Sequence, residues 1–218
     1  MIRFAIIDCG IGNLRSVQKI FERLDATTII TDDAAEVTTS DAIVLPGVGA
    51  FGDAMKKLEA DGTADAIRLE AGERGKPLLG ICLGMQLLGQ TSAESPGIDG
   101  LGLVPGETVP LDVTGKTDWI NRKLTLPHVG WNTVTQANKP RLFDELEPDT
   151  DFYFVHSFRM TFDDQSWVSG TADYGEEFVC SIEKNSIYAT QFHPEKSQKQ
   201  GQALISNFIG LAKRAVAA

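Results

Sequence analysis

The chain has 218 residues, 42% of them apolar and 23% charged, proportions of an ordinary globular protein that exclude disordered, collagen-like and coiled-coil classes. Thirty acidic against twenty basic residues give a formal charge of −10, which opposes a nucleic-acid backbone rather than neutralising it, so neither DNA nor RNA is an expected partner. The length suits one domain, expected to span residues 1–218.

The first element is an apolar run over residues 2–7, which reads as a buried strand. Asp8 ends it short of a signal-peptide core, and no stretch approaches the ~18 apolar residues of a membrane span. A cytoplasmic protein that does not enter the membrane is expected. Leu14, Val17, Phe21 and Leu24 then recur at helical steps. Residues 28–30, 42–45 and 77–81 read as further strands, and 63–74 and 83–88 as helices. Strands separated by helices predict parallel pairing with right-handed crossovers.

Beyond Leu101 the texture changes to strands punctuated by Pro105-Gly106, Gly115-Lys116 and Asn185-Ser186, where antiparallel pairing is expected. Residues 202–216 close the chain as a helix. Leu204, Ile205, Phe208 and Leu211 occupy one face, and Lys213 and Arg214 complement the negative end of the dipole. The predicted fold is α/β, a three-layer sandwich of a mixed sheet between helices with an antiparallel extension in the second half.

The sharpest chemical signal is Gly80-Ile81-Cys82-Leu83-Gly84, a strand running straight into a helix in the G-x-nucleophile-x-G pattern with cysteine in place of serine. Glycines two residues either side relieve crowding in the sharp turn, and the positive end of the following helix favours a thiolate. A buried structural cysteine between close-packed glycines fits the same residues. The three cysteines, Cys9, Cys82 and Cys180, suit neither a disulfide framework nor a zinc site, and no metal is expected; Cys9 and Cys180 read as small core residues.

A cysteine nucleophile needs a base. His193 ends a strand pattern and precedes Pro194 and Glu195, and in an extended segment residues two apart share a face, so the carboxylate can orient the imidazole. A surface His-Pro-Glu turn is the plainer alternative. His128 and His156 read as core or loop histidines with satisfied hydrogen bonds. In residues 42–53 a buried strand ends in Pro46-Gly47-Val48-Gly49, whose bare backbone N–H groups suit an oxyanion. Gly47 to Gly52 matches G-x-G-x-x-G literally, but it lacks the Lys-Ser/Thr ending of a phosphate loop, and no suitably placed acidic residue supports a dinucleotide.

Taken together, these motifs resemble the class I (triad) glutamine amidotransferase family and, within it, the glutaminase subunits of imidazole glycerol phosphate synthases. The resemblance runs through residues 8–16, 46–55, 80–86, 127–132 (P-H-V-G-W-N), 153–158 (Y-F-V-H-S-F) and 191–197 (Q-F-H-P-E-K-S). It implies Cys82 as nucleophile, His193 as general acid and base, and Glu195 as its orienting partner. It further implies that Gly49 and Leu83 hold the oxyanion and that Gln86, Glu94, Ser157 and Phe158 recognise L-glutamine, with no cofactor. The stretch before Glu94 departs from the usual family version, and Phe158 stands where relatives often carry tyrosine. A family domain of this kind fills the chain, so a (β/α)₈ cyclase partner in a heterodimer is implied, facing Asn13, Trp131 and Lys196. An amidotransferase serving chorismate or carbamoyl phosphate chemistry, and a catalytically silent binding subunit, are the competing readings; residues 127–132 and 153–158 argue against the first.

Overall fold

The computed structural model describes residues 2–10, 12–118 and 120–217; Ile11, inside the 8–16 motif, lies outside them. The first half alternates strand and helix: β1 (Arg3–Ile7), α1 (Leu14–Arg23), β2 (Thr27–Thr31), α2 (Ala34–Thr39), β3 (Ala42–Gly47), α3 (Phe51–Ala60), α4 (Thr63–Ile67), β4 (Leu78–Cys82) and α5 (Leu83–Leu87). The second half is strand-rich: β5 (Thr91–Ser92), β6 (Gly106–Pro110), β7 (His128–Gln136), β8 (Asp149–His156), β9 (Phe158–Phe162), β10 (Val168–Asp173), β11 (Glu177–Lys184) and β12 (Ile187–Thr190), followed by α6 (Gln198–Ala217).

One sheet joins them in the order β2-β1-β3-β4-β12-β11-β10-β7-β8. The five strands from β2 to β12 pair in parallel, and the path then continues antiparallel to β8 at the edge. β9 pairs with β11 and carries β6 and β5 as a side branch. This is the expected parallel half with an antiparallel extension.

Period-two alternation explains the three layers. Phe4 and Ile6 of β1 point into one core with Val17 and Phe21 of α1 and Leu204, Ile205 and Phe208 of α6. Ala5 and Ile7 point into the other with Val37, Phe51, Met55, Leu58 and Ile67 of the helices opposite. Phe4 meets Phe21 and Phe208 at centroid distances of 5.2 and 6.0 Å, tying both helices of the first face to one strand. Among the described residues no helix is long and apolar enough to cross a membrane.

Local structure departs from the sequence expectation in a few places. The helix expected over 63–74 is α4 followed by a π-helical turn, Arg68–Glu73, in which Arg74 N donates to Leu69 O at 3.0 Å. Its Glu70 is buried between Arg74 and Lys76, at 2.6 and 3.0 Å. Helix α2 is too short to show a period, whereas α3 carries one in Phe51, Ala54, Met55 and Leu58 that the sequence reading passed over. Gly106 opens β6 rather than making a turn.

Two glycines fix how helices meet the sheet edge. A Cβ on Gly84 would lie 1.7 Å from Leu45 O, and one on Gly201 would lie 1.8 Å from Pro194 O. Both are backbone contacts, which cannot swing aside as a side chain can. The Gly84→Ala variant should therefore lose on the order of 3 kcal/mol or more of stability, as overpacking against rigid backbone does. Urea denaturation measures it, and a midpoint unchanged from the parent would refute the close-approach account.

Candidate active site

Cys82 ends β4 and opens α5 with φ 56° and ψ −110°, a left-handed backbone position that a non-glycine residue holds only when its surroundings enforce it. Enforcement comes from both sides. β4 is paired with β3 through Gly47↔Cys82 and with β12 through Thr190↔Ile81, while Gly84 lets α5 begin against Leu45. A Cβ on Gly80 would come within 3.0 Å of the Gly84 carbonyl, so both glycines of the motif are sterically required. The sulfur thus sits at the carboxyl edge of the parallel strands.

His193 reaches the same edge by a route that differs from the sequence reasoning. β12 stops at Thr190, His193 is extended (φ −102°, ψ 94°), and Pro194–Lys196 then forms a 3₁₀ turn. The turn, not a shared strand face, carries Glu195 back to the ring, where His193 Nδ1 donates to Glu195 Oε1 at 2.8 Å. The segment is fastened to β8: His193 N donates to Tyr153 O at 2.8 Å. Tyr153 N donates to Ser197 Oγ at 3.0 Å, and that hydroxyl donates to His193 O at 2.7 Å. Gly201 lets α6 pack against Pro194 and press the turn from behind.

The two side chains of this pair are 3% and 4% exposed. His193 Nε2 is buried with no hydrogen-bond partner among the described residues. Burial disfavours the imidazolium, but the interactions with Cys82 and the Glu195 carboxylate outweigh it and raise His193 to about 10. A thiol in a strained turn, an imidazole with one nitrogen oriented and the other open, and a carboxylate behind it are parts from which acyl transfer through a thioester can be built.

Cys82 opens into a cavity of about 430 Å³ whose wall includes Gly49, Leu83, Gln86, Glu94, Ser157 and Phe158, so every residue expected to bind substrate lines it. That volume suits a small ligand. Gly49 has φ 97°, a conformation that favours glycine. Glu94 also caps α3, its Oε2 accepting from Phe51 N at 2.7 Å, and Ser95 Oγ accepts from Gly52 N at 3.0 Å. The loop bearing Gly49 is therefore followed by a helix whose start is held by a cavity-wall residue. Gln86 Nε2 donates to Phe158 O at 3.3 Å, and Leu111 N donates to Ser157 O at 3.0 Å.

Asn13, Trp131 and Lys196 gather near one surface. Asn13 caps α1 through Ser16 N and shares a narrow cleft with His193, Glu195 and Lys196. Lys196 Nζ lies 5.8 Å from the Tyr153 ring, and Trp131, 46% exposed, stands edge-on to the same ring at 6.2 Å. His128 and His156 are buried and bonded to each other at 3.0 Å, as core histidines with partners. Burial, with the neighbouring histidine, lowers His128 to about 3, and burial lowers His156 to about 4. Cys9 Sγ bonds Pro46 O at 3.3 Å, and burial pushes the Cys180 thiol well up, which leaves it in the core.

Sequence reasoning overlooked Gln191, Tyr153 and Val155. Gln191 is fully buried and donates to Cys82 Sγ at 3.7 Å; its signal was its place at the head of the 191–197 motif, two residues before His193.

The family model described as "Glutamine amidotransferase class-I" matches residues 5–211. The chain belongs to the class I glutamine amidotransferases. This amidotransferase is 46% identical over 211 residues to "Imidazole glycerol phosphate synthase subunit HisH" of Moorella thermoacetica, covering 97% of this chain and 96% of that protein. It is 44% identical over 214 residues to the protein of the same name from Aquifex aeolicus, covering 98% and 99%. Among solved structures, a glutamine amidotransferase aligns with TM-score 0.72 at 17% identity over 96% of this chain and 98% of that one. PurLQS of Thermotoga maritima aligns with TM-score 0.68 at 20% identity over 97% and 99%. These two show the shared fold.

Two titrations follow for the amidotransferase. By NMR, His193 should remain protonated at neutral pH, and Cys82→Ser, which cannot ionise there, should lower its midpoint as burial gains weight; an unmoved midpoint would break the sulfur–imidazole link. His128 and His156 sit below the unfolded value of about 6.5, so the stability they give is complete above that pH and drains away as pH falls toward about 3 and about 4 respectively. The acid limb of urea stability should slope by up to about 1.4 kcal/mol per pH unit for each histidine, and His156→Gln should flatten it by one histidine's share.

Proposed function

We propose that the chain is the glutaminase subunit of an imidazole glycerol phosphate synthase, hydrolysing L-glutamine and passing the ammonia to a cyclase subunit in histidine biosynthesis. The open Nε2 of His193 beside Cys82, with Glu195 on the other ring nitrogen, supports the chemistry. Near-full-length similarity to proteins named as subunits of that synthase supports the partner. In this reading residues 1–218 act as one amidotransferase domain in the cytoplasm, without metal or cofactor, and the ring-forming lyase step belongs to the partner.

Glutamine enters with its γ-carboxamide over Cys82. The thiolate attacks the carboxamide carbon, and charge gathers on the oxygen, where backbone N–H groups of Gly49 and Leu83 serve as donors. His193 gives its Nε2 proton to the departing nitrogen, the C–N bond breaks, and ammonia leaves a γ-glutamyl thioester. The neutral imidazole then takes a proton from water as its oxygen attacks the thioester. The C–S bond breaks, glutamate departs, and the thiolate–imidazolium pair is restored. Glu195 keeps the ring oriented throughout, while Gln86, Glu94, Ser157 and Phe158 hold the substrate, with Glu94 facing its ammonium group.

The partner, a (β/α)₈ barrel, would seat on the surface around Tyr153. Val129 and Trp131 of β7 are 55% and 46% exposed on one face of the strand, an apolar anchor beside Asn13 and the cation of Lys196. Lys196 would pair with a carboxylate of the cyclase.

Cys82→Ala should cut glutamine-dependent synthesis by about four orders of magnitude or more in the reconstituted complex, while synthesis from ammonium salts stays within about twofold. Assaying both nitrogen sources side by side decides the matter, and retention of glutamine-driven turnover would sink the reading.

A further inference from the structure

The orientation of two buried amides near Cys82 is dictated by a single carbonyl. Phe158 O can only accept, so Gln86 Nε2 at 3.3 Å and His156 Nδ1 at 2.8 Å both donate to it. Gln86 Nε2 also donates to Gln191 Oε1 at 3.0 Å, which turns Gln191 Nε2 toward Cys82 Sγ at 3.7 Å. Flipping either amide would set donor against donor or acceptor against acceptor. The carbonyl itself is steadied from β7, because His156 Nε2, left as an acceptor, receives the Nδ1 hydrogen of His128 at 3.0 Å.

The sulfur has a second polar neighbour, Val155 O at 3.8 Å. A thiol can donate to that carbonyl, whereas a thiolate is repelled by it. The Gln191 N–H acts in the opposite sense, since a hydrogen bond to an ionised acceptor is about twice as strong as one to a neutral acceptor. Full burial leaves Gln191 no water to turn to, so its donor is committed to the sulfur.

We propose that Gln191 is a positioning residue for the reaction: its side-chain amide, oriented by Gln86 and the Phe158 carbonyl, holds Cys82 Sγ and donates to it in the ionised form that attacks glutamine. The inference rests on Cys82 being the nucleophile. The other titratable groups around the sulfur are His193 with Glu195 behind it, His156, Glu94 and Lys196.

The test uses Gln191→Met, similar in length and unbranched but without a donor. Alkylation of Cys82 by iodoacetamide is followed against pH in the full chain, and kcat and KM for glutamine are measured in the complex with the cyclase. The alkylation midpoint should rise by about one unit, making the reaction about tenfold slower below both midpoints. A fall in kcat of about tenfold, with KM within about threefold, should accompany it. An unchanged alkylation profile overturns the proposal, and so does a rise in KM alone, which would make Gln191 a substrate contact. Should the variant not fold, the unaltered chain still decides: the Gln191 side-chain amide protons should titrate by NMR with the midpoint of Cys82 alkylation, and a flat response overturns the idea. Failure of the nucleophile assignment looks different, with Cys82 inert to alkylation at every pH and Cys82→Ala active on glutamine.

Discussion

The catalytic edge depends on one close approach, that of Gly84 to the carbonyl of Leu45. Because α5 starts hard against β3, the chain leaving β4 has no room for an ordinary turn and must pass through a left-handed residue at Cys82. Such a position costs about 1–3 kcal/mol, and here the paired strands on either side of β4 hold it. The strain is thus balanced by sheet hydrogen bonds and core packing remote from the chemistry. What it yields is a side chain raised above the ends of the parallel strands, facing both the loop after β3 and the segment after β12.

The imidazole faces an opposite pair of demands. Burial at 2% exposure works against its charge, while the proposed proton transfer to a leaving amine needs it. Two neighbours resolve the conflict, the Cys82 sulfur near the ring and Glu195 on Nδ1. The companion pair His128 and His156 shows the outcome without such neighbours, for there burial prevails and both rings are held neutral. Histidines of similar burial therefore serve as charge carrier or as dipolar strut according to what faces them.

Much of this was legible in the sequence. The strand–helix alternation of residues 2–88 predicted the parallel half, and the glycines flanking Cys82 predicted the turn, since their spacing reports a local steric need. Glu195 was matched to His193 for a reason that the structure replaces: Pro194 drives a 3₁₀ turn instead of continuing a strand. The roles of Gln191, Tyr153 and Val155 were not legible. Each acts through a backbone group or an amide placed by long-range sheet pairing, and no periodicity or spacing encodes which amide hydrogen meets which acceptor. The π-helical turn before β4 escaped for a related reason, because a buried ion pair around Glu70, not helix propensity, accompanies the widened backbone.

β8 is the last strand of its sheet path, a position where one residue of slippage is ordinarily cheap. Here consecutive residues have unlike duties. Tyr153 carries the backbone groups that pin the His193 segment, Val155 touches the sulfur, and His156 locks onto His128 across the pairing Trp131↔Tyr153 and His128↔His156. A shift by one place would exchange the faces of all of them at once. This border of the sheet is therefore the least forgiving stretch of the molecule for an insertion or deletion, and whatever docks against its outer rings presses on a ruler already cut to length.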